Sequence, residues 1–482
     1  MAIRIYDTRA RRNVELEVRD PGRISMYGCG MTVYGYAHIG NARTLLWYDQ
    51  IRRYLEYRGF AVTYVMNYTD VDDKIIERAN LEKATPEEIA HKYSVAFEKD
   101  MAALGVAPPT ILCRATDHIE DMIKSIEGLI ERGSAYEAEG DVYFSVESFP
   151  SYGKLSHRSL DDIRAKERIE PSDKKRHPVD FALWKAAKEG EPSWESPWGP
   201  GRPGWHIECS VMATKYLGMD FDIHSGATDL IFPHHENEIA QAEALDAQDR
   251  PFVRYWMHAG LVQMETEKMS KSLGNVVLVK DLLESNPGQV VRYWALTSSF
   301  RSQAVFSDES LEDARQAYER LFNFHIAGRH LLADEFPAPG SAIRRMNGAS
   351  PEGHGADLVV RFIEAMDDDF NSAGALGAVH DLVRSGNKLI EEAQRGDSQR
   401  RAELKDLMGH FIELTDVLGL DFLADEPATE LSGDLIDFLL ELQEEARADK
   451  AFRRADAIRS KLQEFGVSVE DTPAGQRWRL PG

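Results

Sequence analysis

An apolar run, Ile24 to Tyr27, breaks at Gly28-Cys29-Gly30 and gives way to helical spacing in Leu45, Leu46, Tyr48, Ile51, Tyr54 and Leu55. This pattern predicts a buried strand, a glycine-bearing turn and an amphipathic helix. Ala61 to Asn67 is a second β-rich run, and Thr69 to Lys74 leads into another helix, so the start of the chain is a βαβ unit of Rossmann type. Helical patterns follow over residues 86–104 and 117–132, with Pro108-Pro109 as a break between them. From Ala135 to Ser156 the period changes to alternation, which predicts a strand-containing insertion. Residues 189–204, rich in Pro, Gly and Trp, are expected to form an ordered loop returning the chain to the main sheet.

Phe221 to His224 predicts a third strand, and Ile231 to Ala244 a helix opening at Pro233. Beyond Lys280 the spacing is almost wholly helical, with Leu311, Ala314, Tyr318, Leu321 and Phe322 on one face. Residues 336–355 are predicted to link helices, residues 357–420 form a further helical block, and 421–427 mark a boundary before a compact end piece. The resulting organisation is α/β. A Rossmann-like parallel-sheet domain is split into 1–120 and 204–308 by an insertion at 121–203, and is followed by a helical bundle at 309–425 and a small C-terminal domain at 426–482.

A chain of 482 residues is too long for one core, which agrees with that division. No apolar run reaches the length of a membrane span and the first residues lack the pattern of a signal peptide, so a cytoplasmic protein is expected. Three cysteines, an odd number in a long chain, argue against a disulfide framework and for thiols available as ligands. The net charge of −24 means that any nucleic-acid contact must be made by local basic patches.

Two short stretches carry chemistry. His38-Ile39-Gly40-Asn41 stands where a strand feeds a helix, so that helix N–H groups and the dipole can meet phosphate. Lys268-Met269-Ser270-Lys271-Ser272, with Gly274 just after, places two lysines three apart in a loop suited to the leaving pyrophosphate of a triphosphate.

In this order, roughly 230 residues apart, the two stretches resemble the HIGH and KMSKS signatures of class I aminoacyl-tRNA synthetases. Asn67 to Lys74, Gly204 to Ser210, Phe232 to Glu238 and Met366 to Asn371 narrow the resemblance to the cysteinyl-tRNA synthetases, over nearly the whole chain. The resemblance implies ATP-dependent activation of L-cysteine and transfer to tRNA(Cys), with the terminal domain reading the anticodon. Mg²⁺ would accompany ATP, and a monomer is the expectation. His38, Asn41, Lys268 and Lys271 are implied as catalytic. Thr32, His38, Gly40, Asn41, Gly226, Asp229 and Lys271 are implied for ATP, and Gly30, Thr69 and Trp205 for substrate cysteine.

The residues read by themselves point to a metal as well. His234 and Glu238 stand four apart, so a helix puts both on one face, and Cys29 and Cys209 lie in polar surroundings. Together they make a mixed S₂NO set for one Zn²⁺, with His206 and His235 as rival ligands and Cys113 outside every motif. Such a metal separates cysteine from serine by binding thiolate strongly and hydroxyl poorly.

The sequence departs from the family pattern in two places. Asn41 replaces a histidine, with phosphate or ribose contact still expected, and Ser225 and Ala227 add side chains where adenosine should approach. Arg453, Arg454, Arg459, Lys461, Arg477 and Arg479 are the candidate basic patch. Two other functions fit the same motifs. One is a paralogous ligase that passes cysteine to an amino-sugar amine, and the other is a catalytically silent regulator that binds tRNA or cysteine.

Overall fold

Ile24 to Gly28 are buried on both faces, as they must be in a strand of a parallel sheet covered by helices on both sides. In the computed structural model, which describes residues 2–166, 173–264, 276–337, 351–422, 430–464, 467–472 and 475–479, this run is strand β1 (Arg23–Gly28). It is the centre of a five-stranded parallel sheet with β2 (Ala61–Tyr68), β3 (Ile111–Arg114), β4 (Phe221–Ala227) and β5 (Val253–Ala259), in the order β5-β4-β1-β2-β3. Helix α1 (Ile39–Tyr57) connects β1 to β2. Strands leave β1 in one direction through β2 and β3, and the chain later resumes on the other side with β4. The carboxyl ends of β1 and β4 therefore flank a topological switch point, where open α/β sheets bind ligands.

The alternating segment forms an antiparallel four-stranded sheet, Ala135–Ala138, Asp141–Phe144, Phe181–Ala186 and Gly201–Pro203. The region expected as loop at 189–204 thus supplies an edge strand. Helix α2 (Trp205–Leu217) then returns the chain to the main sheet, and helix α3 (Glu236–Leu245) follows β4. The helix expected from Ile231 begins later than predicted. Phe232 is extended (φ −140°, ψ 131°), because the residue before a proline is pushed out of the α region, and regular helix starts at Glu236. Strand β3, just after Pro108-Pro109, was not anticipated, being short and half exposed.

Four helices, Asp308–Leu332, Ala356–Asp367, Ser372–Ala393 and Ser398–Val417, pack into one core continuous with α1. The end piece has helices Glu430–Ala448 and Phe452–Glu464 and the hairpin Ser468–Thr472/Gly475–Arg479, around a small core of Ile436, Leu440, Leu462, Val467 and Val469. Of its predicted basic patch, Arg459 donates to the Val469 carbonyl and Arg477 pairs with Glu470 at 2.7 Å, whereas Arg453, Arg454 and Arg479 are exposed.

Arg292, in the helix Gly288–Leu296, and Asp49 of α1 form a buried ion pair where the sheet domain meets the helical region. The guanidinium of Arg292, wholly buried, meets Asp49 of α1 and donates to the carbonyls of Leu418 (2.9 Å), Leu104 (3.3 Å) and Gly105 (3.0 Å). Asp49 also accepts from Arg53 (2.7 Å) and from the Ala107 N–H (3.0 Å). At Gly419, with φ +68°, a Cβ would stand 2.0 Å from Arg292 Nη2, so only glycine fits there. Burial works against a charged Asp49, but Arg292 and Arg53 outweigh it and hold the carboxyl below its usual range.

Asp49→Asn should therefore leave Arg292 charged and uncompensated and cost about 3–5 kcal/mol in urea unfolding at neutral pH. Because the Asp49 pKa is depressed in the folded state, its contribution is complete above the ordinary carboxylate value and fades as pH falls through the lowered one. The stability gap between wild type and variant should accordingly close in acid.

Candidate active site

Four segments that are far apart in sequence deliver their donors to the switch point. Cys29 leaves the end of β1, where its N–H donates to the Ser225 carbonyl of β4 at 3.0 Å. Cys209 lies in the second turn of α2, His234 in the irregular turn before α3, and Glu238 in the first turn of α3. One ligand atom from each of these four residues lies within 4.8 Å of every other, and all four are buried. The two sulfurs are 3.9 Å apart, Cys29 Sγ is 3.7 Å from Glu238 Oε1, and His234 Nε2 is 2.9 Å from the same oxygen. Two thiolates about 2.3 Å from a tetrahedral metal would be separated by about 3.8 Å, so the spacing suits a divalent ion with sulfur, nitrogen and oxygen donors.

A second group shares two of these residues: Cys29 and Glu238 also converge with His224 and His235. His224 is an inward-facing residue of β4, hydrogen-bonded to Glu238 Oε2 at 2.8 Å, and His235 Nε2 is 3.3 Å from Cys29 Sγ. Outer contacts favour the first set. Behind His234 lies the His206 ring, Nδ1 to Nδ1 at 2.9 Å, while His224 holds the carboxylate oxygen of Glu238 that faces away from the cysteines. His235 Nδ1 instead meets His258 Nε2 at 2.8 Å, and His258 Nδ1 meets the Thr8 hydroxyl at 2.7 Å. Of these outer residues, His224, His258 and Thr8 were not singled out from the sequence as outer contacts. The signal present was His224 inside a short strand expected to be buried, since a buried imidazole needs partners.

The charges are mutually arranged. Burial works against the Glu238 carboxylate, but His224 and His234 outweigh it and bring it down to about 2. Burial likewise opposes a charged His234, yet Glu238 and Cys209 hold the imidazole up to about 10. Burial pushes the Cys29 thiol up, and its hydrogen bond to Cys209 draws the second thiol down, so that one proton is shared between two sulfurs. His206, His235 and His258 are driven down by burial, aided by His234 beside His206 and by His224 beside His235 and His258. A metal bound here would displace protons from groups already poised as ligands.

Residues predicted for substrate cysteine lie around this cluster. The Trp205 ring is 4.3 Å from the His234 ring and 38% exposed, forming a wall open to solvent. Thr69 Oγ1 donates to Glu208 Oε2 at 2.8 Å, and the Gly30 N–H donates to Asn67 Oδ1 at 2.9 Å. A Cβ on Gly30 would stand 1.7 Å from the Asn67 carbonyl oxygen, so β1 and β2 can approach here only because residue 30 has no side chain. Cys113, in contrast, is buried away from the cluster, donating to the Met66 carbonyl.

The residues expected to meet the nucleotide lie at the start of α1 and at the end of β4. His38 is the N-cap of α1, its Nδ1 accepting from the Asn41 N–H (3.2 Å) while the Asn41 side chain accepts from the His38 N–H (3.2 Å). The Asn41 side-chain oxygen is thereby engaged in the cap, and the donating amide group expected to meet phosphate or ribose is not part of it. Gly40 lies in the first turn, and Thr32 bridges Thr69. Gly226 has a further constraint: a Cβ there would stand 2.3 Å from the His235 ring. Asp229 is in the turn after β4, partly exposed, whereas Ser225 is buried within the sheet and so adds no bulk to an open face.

Lys268 and Lys271 lie outside the described residues, but the chain on both sides of 265–275 is tied to α1. Downstream, Ile39 N–H donates to the Val277 carbonyl and Val279 N–H to the Ala37 carbonyl, each straddling His38. Upstream, Arg43 of α1 donates to the Gly260 carbonyl at 2.6 Å and to those of Ser299 and Ser302.

Comparison with known proteins agrees with this arrangement. Residues 15–316 match the family described as tRNA synthetases class I (C) catalytic domain, 361–423 the DALR domain, and 435–479 the cysteinyl-tRNA ligase anticodon binding domain. The chain is 48% identical over 495 residues to a cysteine–tRNA ligase of Syntrophotalea carbinolica, covering 99% of this chain and 100% of the relative. It is 47% identical over 493 residues to one of Geobacter sulfurreducens, covering 100% of both. A similar fold is seen in a Mycobacterium tuberculosis methionyl-tRNA synthetase in complex with methionyl-adenylate (TM-score 0.59, 17% identity, 87% of this chain and 94% of that one).

The two overlapping ligand groups make different predictions. If Cys209 is a ligand, Cys209→Ser should lower metal affinity by at least roughly two orders of magnitude, since changes in outer contacts alone cost 10–100-fold. If the ligands are instead Cys29, His224, His235 and Glu238, the variant should retain a stoichiometric metal. Elemental analysis after dialysis against a chelator separates the two.

Proposed function

The chain belongs to the cysteine–tRNA ligase family of class I aminoacyl-tRNA synthetases, and from that premise we propose that it activates L-cysteine with ATP and transfers it to tRNA(Cys) at the switch point of its sheet. The observation that carries this reading is the convergence of Cys29, Cys209, His234 and Glu238 at the connection between β1 and α1, the helix whose N-cap is His38. Two thiols, an imidazole and a carboxylate form a donor set suited to zinc, which binds a substrate thiolate strongly and lowers its pKa while leaving a serine hydroxyl poorly held.

This chain's residues do the rest by positioning. Trp205, Thr69 and Gly30 surround the amino acid beside the cluster. The α1 N-terminus, with Thr32, His38, Gly40 and Asn41, receives the phosphates of Mg-ATP, and Gly226 and Asp229 border the nucleoside. The cysteine carboxylate attacks the α-phosphorus in line and pyrophosphate leaves, with His38, Lys268 and Lys271 meeting the charge that develops on the phosphates. A hydroxyl of the terminal ribose then takes the acyl group and AMP leaves. The anchoring of residues 277–279 on both sides of His38 supports this pairing, because it fixes one end of the Lys268–Lys271 loop beside the phosphate-binding turn. The helices of 309–425 support the tRNA and the domain at 426–482 reads its anticodon, with Arg453, Arg454 and Arg479 exposed for phosphate contact. The described helices include none long and apolar enough to cross a membrane.

Cysteine-dependent ATP–pyrophosphate exchange, followed by acylation of tRNA(Cys), tests the reading. Both activities are expected. Absence of exchange overturns the reading, and exchange without tRNA charging points to a ligase for another amine. Lys271→Ala should slow exchange by about 10²–10³-fold, the scale of one lost transition-state contact, with the affinity for L-cysteine little changed.

A further inference from the structure

Two of the four candidate ligands belong to a segment that its own backbone does not fix. His234 lies in the turn 231–235, which contains the extended residue Phe232, and Glu238 lies in the helix α3 that follows. Helical hydrogen bonds alone therefore do not set how this segment stands against the sheet. A loop of the insertion, residues 152–158 between the strands Asp141–Phe144 and Phe181–Ala186, holds it from outside.

The loop grips the segment from Phe232 to Glu243. The buried Tyr152 hydroxyl donates to Asn237 Oδ1 at 2.5 Å, and the Tyr152 ring meets Phe232 edge to face. The N–H groups of Leu155 and Ser156 donate to the Glu236 carboxylate at 3.2 and 2.8 Å. Lys154 pairs with Glu243, and the Arg158 guanidinium lies 4.9 Å from the centre of the Phe232 ring. This shape depends on Gly153, with φ +96°, where a Cβ would stand 2.0 Å from the Arg158 carbonyl oxygen. The Tyr152 ring is rooted in the insertion, because it stacks on Phe181, which stacks on Phe144. Phe181 also meets edge-on the ring of His206, the residue behind His234. The insertion thus reaches Glu238 through its neighbour Asn237, and His234 through His206.

We infer that loop 152–158 of the insertion positions the metal site, with Tyr152 as a positioning residue that acts on Glu238 through Asn237. The loop sets the directions in which His234 and Glu238 present their donors. This rests on Cys29, Cys209, His234 and Glu238 being the metal ligands. The insertion then takes part in selecting the thiol, because partners outside the ligands orient them and tune the metal they hold.

The test uses the full chain, stripped with a chelator and reloaded, and two readouts that need no substrate. These are Zn²⁺ affinity by chelator competition and the visible d–d bands of the Co²⁺-loaded protein. Tyr152→Phe removes only the hydroxyl. It should weaken Zn²⁺ binding by about tenfold, the low end of the cost of altering an outer contact, and change the Co²⁺ bands. Tyr136→Phe is the control for a merely structural effect. It removes a similarly buried hydroxyl whose acceptor, Asp180 at 2.7 Å, is itself within the insertion, and should leave Zn²⁺ affinity within about twofold and the bands unchanged. Unchanged affinity and bands in Tyr152→Phe, or an equal loss in Tyr136→Phe, overturns the inference. Should Tyr152→Phe not fold, Lys154→Met, which breaks the pair with Glu243 of α3, carries the same comparison with a smaller loss expected. A wild-type chain that takes up neither ion overturns the metal reading, and this inference with it.

Discussion

Buried ionisable groups must satisfy one another, and the site is built around that requirement. Glu238 is wholly buried and is stabilised as a carboxylate by His224 on one oxygen and His234 on the other. Those imidazoles are in turn packed among His206, His235, Trp205 and Trp256. Removing any one of them would leave a charge in a medium that cannot solvate it. The arrangement therefore fixes how the end of β1, helix α2 and helix α3 lie against each other, and with them the position of both cysteines.

The turn between β1 and α1 is constrained differently in its two halves. On the cluster side the backbone approaches so closely that Gly30 cannot carry a Cβ, and Cys29 is locked to β4 through the Ser225 carbonyl. On the helix side, His38 and Asn41 cap each other, which orients the imidazole. The chain after residue 276 is laced to this cap, and at the far end of the same helix Tyr57 donates to Glu413 and Arg58 pairs with Asp367, both in the helical region. Helix α1 is thus the mechanical link between the turn after β1, the segment that resumes at residue 276 and the helices that follow.

Much of this was legible in the chain. The strand of Ile24 to Tyr27, the helix of Leu45 to Leu55 and the return at Ala61 specified a parallel unit through periodicity alone, because buried strands and amphipathic helices impose different spacings. The candidate donors could be named because thiols and closely spaced His and Glu are chemically conspicuous. What was misread was local geometry. His234 and Glu238 were paired by the period of a helix, yet His234 precedes the regular helix and reaches Glu238 from an irregular turn. Ser225, placed toward adenosine by its position after His224, is buried in the sheet.

The sequence by itself determined the fold class, the motifs and the set of residue types from which a thiol-selective site can be made, since these follow from composition and short-range spacing. Only the tertiary structure decided which histidines stand behind which ligands, that Glu208 keeps an oxygen unpartnered next to the cluster, and that Gly226 must be small for the sake of His235. Those facts depend on contacts between segments up to some two hundred residues apart along the chain, and no local period carries them. Distance along the chain is invisible to pattern, whereas burial and hydrogen bonding are settled only once the segments meet.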